Sequence, residues 1–465
     1  MLLTLEILLF VCLLTTTILI TSKNTVKHLY LLLLLIFSVM IIITIIVIGE
    51  FKWQLFPLVL VVITLILKFQ LESVSRISLP TLLKKSFIIL TSLFLFISLI
   101  SLIVFPQYKL PLPSGSYLIG TESKVIEDNS RLELYSEKEN DLRKIKIQIW
   151  YPAETVLGYD ISPWIEDGIK ITRGLSRDIG LPYFMLDHTA LIPSNSYYNA
   201  PISNISDSYP IVILSHGWRG FRNIHTDYAE ELASRGYIVI GIDHAFGSVA
   251  TAFEEETVYL NKDALPERET TPDFLDYANA LVSTYAQDIT FTLDYIELLN
   301  QDSSSRFFSR FDLEKIGLLG HSTGGGAATN VGLKDERINA VIGLDAWVEP
   351  ILEDEIALGL KIPSLFLKSE TWETGLNNEV LSSLVDNSSY VPQVYQIDGT
   401  THYDFAMVYM YSPLTKAIGF NGSLDNEYLN NIIKTMINDF FDKELRNITG
   451  NEVDITPWEE VKVVN

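Results

Sequence analysis

The run Gly320-His321-Ser322-Thr323-Gly324 sets a serine between two glycines. Glycines at those places let a chain turn sharply enough to hold the serine in a strained conformation with its hydroxyl clear of the backbone. A serine hydroxyl is a weak nucleophile near neutral pH and needs a base within hydrogen-bond reach, itself oriented by an acid. The histidines are His28, His188, His216, His225, His244, His321 and His402, and only His402 follows Ser322 by more than one residue. Where nucleophile, acid and base come in that chain order, His402 is the candidate base, in the loop Asp398-Gly399-Thr400-Thr401-His402. For the acid, Asp345 follows the apolar run ending at Leu344, and Glu370 and Glu373 follow the next run, ending near Lys368. The residues alone leave that choice open.

Acyl transfer also needs N–H donors aimed at the developing oxyanion, each worth about 3 kcal/mol of barrier. Ser215-His216-Gly217-Trp218 ends an early apolar run. The Trp218 backbone N–H is the expected first donor and the Thr323 backbone N–H the second. His216, His244 and His321 read as structural. The sequence has no HExxH, no paired CxxC, no P-loop lysine motif and no GxGxxG after a strand. Metal, phosphate-cradle and dinucleotide chemistry therefore lack residues to support them, and no metal or cofactor is expected.

The elements that must position these groups alternate short β-rich runs with helical ones from about Pro113, the pattern of a mostly parallel sheet covered by helices. Strands are expected at 144–151, 211–215, 237–243, 315–319, 338–344, 364–368 and 393–397, and helices at 226–235, 274–299, from 324, and 424–445. Ser322 falls between a strand and a helix separated by almost nothing. The acidic stretch Ala245 to Pro272 reads either as an excursion over the site or as a solvated loop.

Residues 1–106 hold the apolar excess, with seven basic and three acidic side chains, which leaves 27 basic against 54 acidic groups in residues 107–465, a net charge of −27. So acidic a surface repels polyphosphate, which argues against a nucleic-acid partner and favours neutral or zwitterionic substrates. The single cysteine, Cys12, excludes a disulfide within the chain. The runs Leu2 to Thr21, Leu29 to Gly49 and Phe87 to Phe105 each approach the roughly 20 residues a membrane-crossing helix needs. Trp53 to Leu67 is shorter and contains Pro57, yet Lys52 and Lys68 flank it as interfacial anchors and make it a fourth span. Lys23, Lys27, Lys68, Arg76, Lys84 and Lys85 then mark the cytoplasmic loops. The expectation is a multi-pass integral membrane anchor over 1–106, with the domain over 107–465 on the extracytoplasmic side.

Four blocks in order, Ser215-His216-Gly217 with Phe221-Arg222, Gly320 to Gly325, Leu344-Asp345-Ala346-Trp347, and Gly399 to Phe405, carry a family likeness. From about Gly115 to Arg446 the chain resembles the plasma-type platelet-activating factor acetylhydrolases, the lipoprotein-associated phospholipase A2 type. The resemblance implies an α/β-hydrolase fold, a mostly parallel central sheet with helices on both faces, here preceded by about four transmembrane helices. It implies that Asp345 completes the triad with Ser322 and His402. It also implies a calcium-independent esterase acting on short or truncated acyl chains of phospholipids. Thr323 departs from the aromatic residue the family commonly has beside the serine, and the secreted enzymes have no four-span anchor. The alternatives are a membrane-anchored carboxylesterase for non-lipid esters, or a hydrolase-like protein that binds a ligand without turnover.

Overall fold

A computed structural model describes residues 2–21, 28–75, 80–372, 375–448 and 453–464. Lys23, Lys27, Arg76 and Glu373 lie outside the described residues. The chain divides into two compact units, residues 1–107 with 184–191, and residues 108–183 with 192–465.

In the first unit, near-continuous leucine, isoleucine, valine and phenylalanine build four helices, α1 (Leu2–Thr21), α2 (His28–Val47), α3 (Phe56–Ser75) and α4 (Thr81–Val104). All four are long and apolar enough to cross a membrane. Pro57 sits in the first turn of α3, where a missing N–H costs no helical bond, so the helix continues through Lys68 to Ser75. Leu9, Leu13, Ile45, Leu58 and Val61 pack in the centre of the bundle. Lys52, which the sequence suggests as an interfacial anchor, is buried and paired with Glu6 at 2.9 Å. The segment Phe184–Leu191 joins this unit. The Trp53 indole N–H donates to the Met185 carbonyl at 3.0 Å, and the Gln107 amide to that of Leu191 at 2.8 Å.

The second unit contains β1 (Leu118–Leu132), β2 (Leu142–Ala153), β3 (Ile161–Pro163), α5 (Ile169–Asp178), β4 (Pro193–Tyr198), β5 (Tyr209–Ser215), α6 (Thr226–Ser234), β6 (Ile238–Asp243) and the hairpin β7 (Ala250–Ala252) and β8 (Thr257–Tyr259). There follow α7 (Phe274–Gln301), β9 (Phe311–His321), α8 (Thr323–Lys334), β10 (Ile338–Leu344), α9 (Glu353–Ile356), β11 (Ser364–Ser369), α10 (Gly375–Asn387), β12 (Gln393–Ile397), α11 (Leu414–Ala417), α12 (Asn426–Glu444) and β13 (Val461–Val463). The sheet runs β13-β12-β11-β10-β9-β5-β6-β2-β1-β4-β3. From β12 to β6 all neighbours are parallel, and β2 and β13 close that block with antiparallel pairs.

Strand alternation decides which helices cover which face. Ile211 and Ile213 point to the layer that holds Leu281, Ile289 and Leu293 of α7. Val212 and Leu214 point to the opposite layer, against Ile432, Ile433 and Met436 of α12. Each fully buried aliphatic side chain contributes roughly 1.5–3 kcal/mol, so the two layers together hold the sheet rigid beneath the loops at its carboxyl edge. The first part of Ala245 to Pro272 is not a solvated loop. This part, including Val249, Ala250 and Ala252, is buried, and the Gly247 carbonyl accepts the Arg219 N–H at 3.0 Å.

Candidate active site

The carboxyl ends of parallel strands are where side chains from distant parts of a chain meet, and β5, β9, β10 and β12 end in Ser215, His321, Leu344 and Ile397. Ser322 is the one residue between β9 and α8, at φ +55° and ψ −121°. No glycine occupies that left-handed position, so its strain is retained in the turn itself. The turn closes only because its neighbours lack side chains. A Cβ on Gly320 would meet the Gly324 carbonyl oxygen at 2.2 Å, and one on Gly324 would meet the Ser215 carbonyl oxygen at 2.3 Å. The Ser322 N–H donates to the Leu344 carbonyl at 3.0 Å, and its carbonyl accepts the Trp347 N–H at 2.9 Å, which ties the elbow to the loop carrying Asp345.

Asp345, fully buried at φ +41°, accepts from His402 Nδ1 at 3.0 Å. The His402 loop returns against the elbow, with the His321 ring 4.6 Å from the His402 ring and His321 Nε2 3.1 Å from the His402 carbonyl oxygen. Glu370, the rival acid, touches the loop and not the imidazole. Its carboxylate accepts the Gly399 N–H at 2.6 Å and its own N–H reaches Thr400 Oγ1 at 3.3 Å. The Ser215 to Trp218 turn, the expected source of the first donor, lies beside Ser322, since a Cβ on Gly217 would stand 2.8 Å from Ser322 Cβ. The next residue, Trp218, donates its backbone N–H to Thr323 Oγ1 at 3.3 Å.

The other histidines around the elbow are neutral. Burial pushes His216 and His321 well below their ordinary range, with the neighbouring His244 and His402 adding to the effect, and it pushes His225 down to about 3. Ser215, His244 and Asp288 repeat a serine–histidine–aspartate series, with His244 Nε2 2.8 Å from Ser215 Oγ and Nδ1 2.9 Å from Asp288 Oδ2. All three are buried and the Tyr285 ring lies 3.7 Å over the imidazole, so no ester could reach that serine. There the same hydrogen bonds hold β5 to α7.

Two residues at the site carry no signal in the sequence patterns. Ser369, the last residue of β11, gives both its N–H and its hydroxyl to Asp345, each at 2.6 Å. Trp372 stacks on the His402 ring at 4.1 Å, nearly parallel. Either depends on strand register and loop path, which no local periodicity reports. Among the described residues no group of three or more histidine, cysteine, aspartate or glutamate side chains could hold a metal ion.

The profile of the family described as platelet-activating factor acetylhydrolase, isoform II, matches residues 102–460. The platelet-activating factor acetylhydrolase of Canis lupus familiaris is 26% identical over 325 residues, covering 64% of this chain and 68% of that protein. The enzyme of the same name from Bos taurus is 24% identical over 389 residues, covering 76% and 80%. Among solved structures, a ferulic acid esterase from Streptomyces cinnamoneus superposes with a TM-score of 0.61 at 21% identity, covering 77% of this chain and 100% of that one. That likeness is one of fold.

Proposed function

The chain belongs to the platelet-activating factor acetylhydrolase, isoform II, family and is an ester hydrolase, and from that premise we propose that it releases short or truncated acyl chains from phospholipids through an acyl-enzyme on Ser322. His402 takes the Ser322 proton as the oxygen attacks the ester carbonyl, then returns it to the departing alcohol. Water repeats the attack on the acyl-enzyme, with His402 again as base. Asp345 keeps Nδ1–H of the imidazole directed at itself and stabilises the imidazolium, and the Trp218 and Thr323 backbone N–H groups receive the oxyanion. None of these steps calls on a metal or cofactor.

The observation that carries this reading is the 3.0 Å contact between His402 and Asp345 beside a serine held at φ +55°. A buried carboxylate aimed at a partly exposed imidazole next to a strained hydroxyl is an arrangement with little structural use. In the same reading residues 1–106 anchor the hydrolase domain over 107–465 by four membrane spans. The lysines at 23, 27, 68, 84 and 85 favour the cytoplasmic side for their loops, and so the extracytoplasmic side for the hydrolase domain. A tethered domain meets membrane lipid at high local concentration, which supports an amphiphilic ester.

Labelling of the membrane-embedded chain with a fluorophosphonate probe tests the mechanism. Wild type is expected to label, Ser322→Ala to lose all labelling and His402→Ala nearly all. A folded wild type that stays unlabelled would remove the acyl-enzyme reading.

A further inference from the structure

Arg219 follows the proposed first oxyanion donor directly, and it sits at φ +65°. A long side chain in the left-handed region is strained where glycine would not be. Such strain persists where the side chain has a use. Its backbone is fixed in this conformation because its N–H donates to the Gly247 carbonyl and the Gly220 carbonyl accepts from Val249, both at 3.0 Å. The side chain is about half exposed and is held at one point, by Nε donating to Asp178 Oδ2 at 2.6 Å. Among the described residues no acceptor takes either terminal nitrogen, so four N–H groups in a planar fork remain available.

The surroundings favour an anion. In a domain whose net charge is strongly negative, the nearly buried Asp178 faces both Arg219 and Lys262, the latter at 3.2 Å. Arg177, Asp178 and Lys262 line a cleft of about 310 Å³. Against these cations stand Asp178 itself and Glu267, which lies within electrostatic reach of Arg219. The Tyr403 hydroxyl lies within the same reach, and its ring packs edge-on against His402 at 5.7 Å. The Arg219 side chain thus lies near the loop that carries His402, and its Cα is within about 7.6 Å of the Gly217 Cα, two peptide units away.

Building on the reading that Ser322 attacks a phospholipid ester, we infer that the Arg219 guanidinium binds the phosphodiester of the substrate and so determines specificity for phosphate-bearing esters. In a glycerophospholipid the sn-2 ester oxygen and the phosphate oxygen stand on neighbouring glycerol carbons. A carbonyl held by the Trp218 N–H therefore brings the phosphate beside the next residue. A planar fork suits two phosphate oxygens at once, which a lysine could not match.

The full-length enzyme in detergent micelles tests this with two substrates that differ only in the headgroup, 1-alkyl-2-acetylglycerophosphocholine and 1-alkyl-2-acetylglycerol. Arg219→Gly suits the left-handed backbone, so folding is spared and only the side chain is lost. For the phosphocholine lipid kcat/KM is expected to fall tenfold or more, mostly through KM, while for the neutral ester it stays within about twofold. Arg219→Lys is expected to recover only part of the loss. Equal losses on both substrates, or no loss on the phospholipid, would overturn the inference and leave the ester chemistry standing. If wild type cleaves the neutral ester and not the phospholipid, the lipid reading falls and the inference with it.

Discussion

Ser369 grips both oxygens of Asp345, its N–H on Oδ1 and its hydroxyl on Oδ2, each at 2.6 Å. The carboxylate is fully buried, and with His402 Nδ1 on Oδ2 it has three donors around it. Hydrogen bonds to a charged group are worth about 1.5–3 kcal/mol, so this hydroxyl fixes the aim of the Asp345 carboxylate as well as its charge. Ser369→Ala should therefore lower kcat roughly tenfold with KM little changed, measured on a soluble short-chain ester. Asp345→Asn, which leaves the shape and reverses the preferred imidazole tautomer, should cost about 10⁴-fold. A Ser369→Ala enzyme with wild-type kcat would show that the backbone N–H alone suffices.

Thr323 offers a second test, because its hydroxyl accepts the Trp218 N–H at 3.3 Å, near the long limit for such a bond. The contact joins the two chain segments proposed to hold the oxyanion and is weak enough for a substrate oxygen to displace. Thr323→Val keeps the shape and removes the acceptor, and kcat should fall by about three- to tenfold. Thr323→Ser keeps a hydroxyl and should stay within about twofold of wild type. Equal rates for valine and serine would show that the donor turn is held by its other bonds.

The parallel strands were legible because they are short continuous apolar runs bounded by turn residues. Ile338–Leu344 and Gln393–Ile397 form strands over the residues their hydrophobicity suggests. So was the elbow, where glycine spacing and the strand–helix change coincide at Ser322. The β1 strand was not, since Leu118–Leu132 mixes charged and polar residues, as suits a strand partly open to water. Nor was the short edge strand Val461–Val463, which gains its hydrogen bonds only from β12. Residue types and spacing alone left Asp345 and Glu370 open as the candidate acid. Both follow strands at the same sheet edge, and only the path of the loop aims one at the imidazole and the other at the Gly399 N–H.

Acid should weaken the hydrolase domain from about pH 6.5 downward. Burial lowers the folded-state values of His216, His225, His244 and His321, whereas an unfolded histidine titrates near 6.5. Above that value both states are neutral and stability is full. Below it the unfolded chain binds protons that the folded one refuses, so each such group removes up to about 1.4 kcal/mol per pH unit until its folded value is reached. For His225 that window runs from about 6.5 to about 3. Both its ring nitrogens are buried without a partner, so His225→Phe loses no hydrogen bond. Melting temperature followed from pH 7.5 to 4.5 should fall less steeply in the variant than in wild type, with no loss at pH 7.5. A variant with the wild-type slope would show that His225 takes no part.

In the helical unit, Glu6 and Lys52 are each about 5% exposed and 2.9 Å apart. The pair joins the start of α1 to the residue just before the turn that leads into α3. Two buried charges gain little over an apolar pair, because desolvation offsets their attraction, but one left alone is costly. Glu6→Leu or Lys52→Met by itself should therefore destabilise the bundle by about 3–5 kcal/mol, while the two together should come close to wild type or exceed it. Thermal unfolding of the full chain in a mild detergent, read as a double-mutant cycle, distinguishes this from a pair open to water. In the second case each single change would cost less than about 1 kcal/mol and the two effects would add.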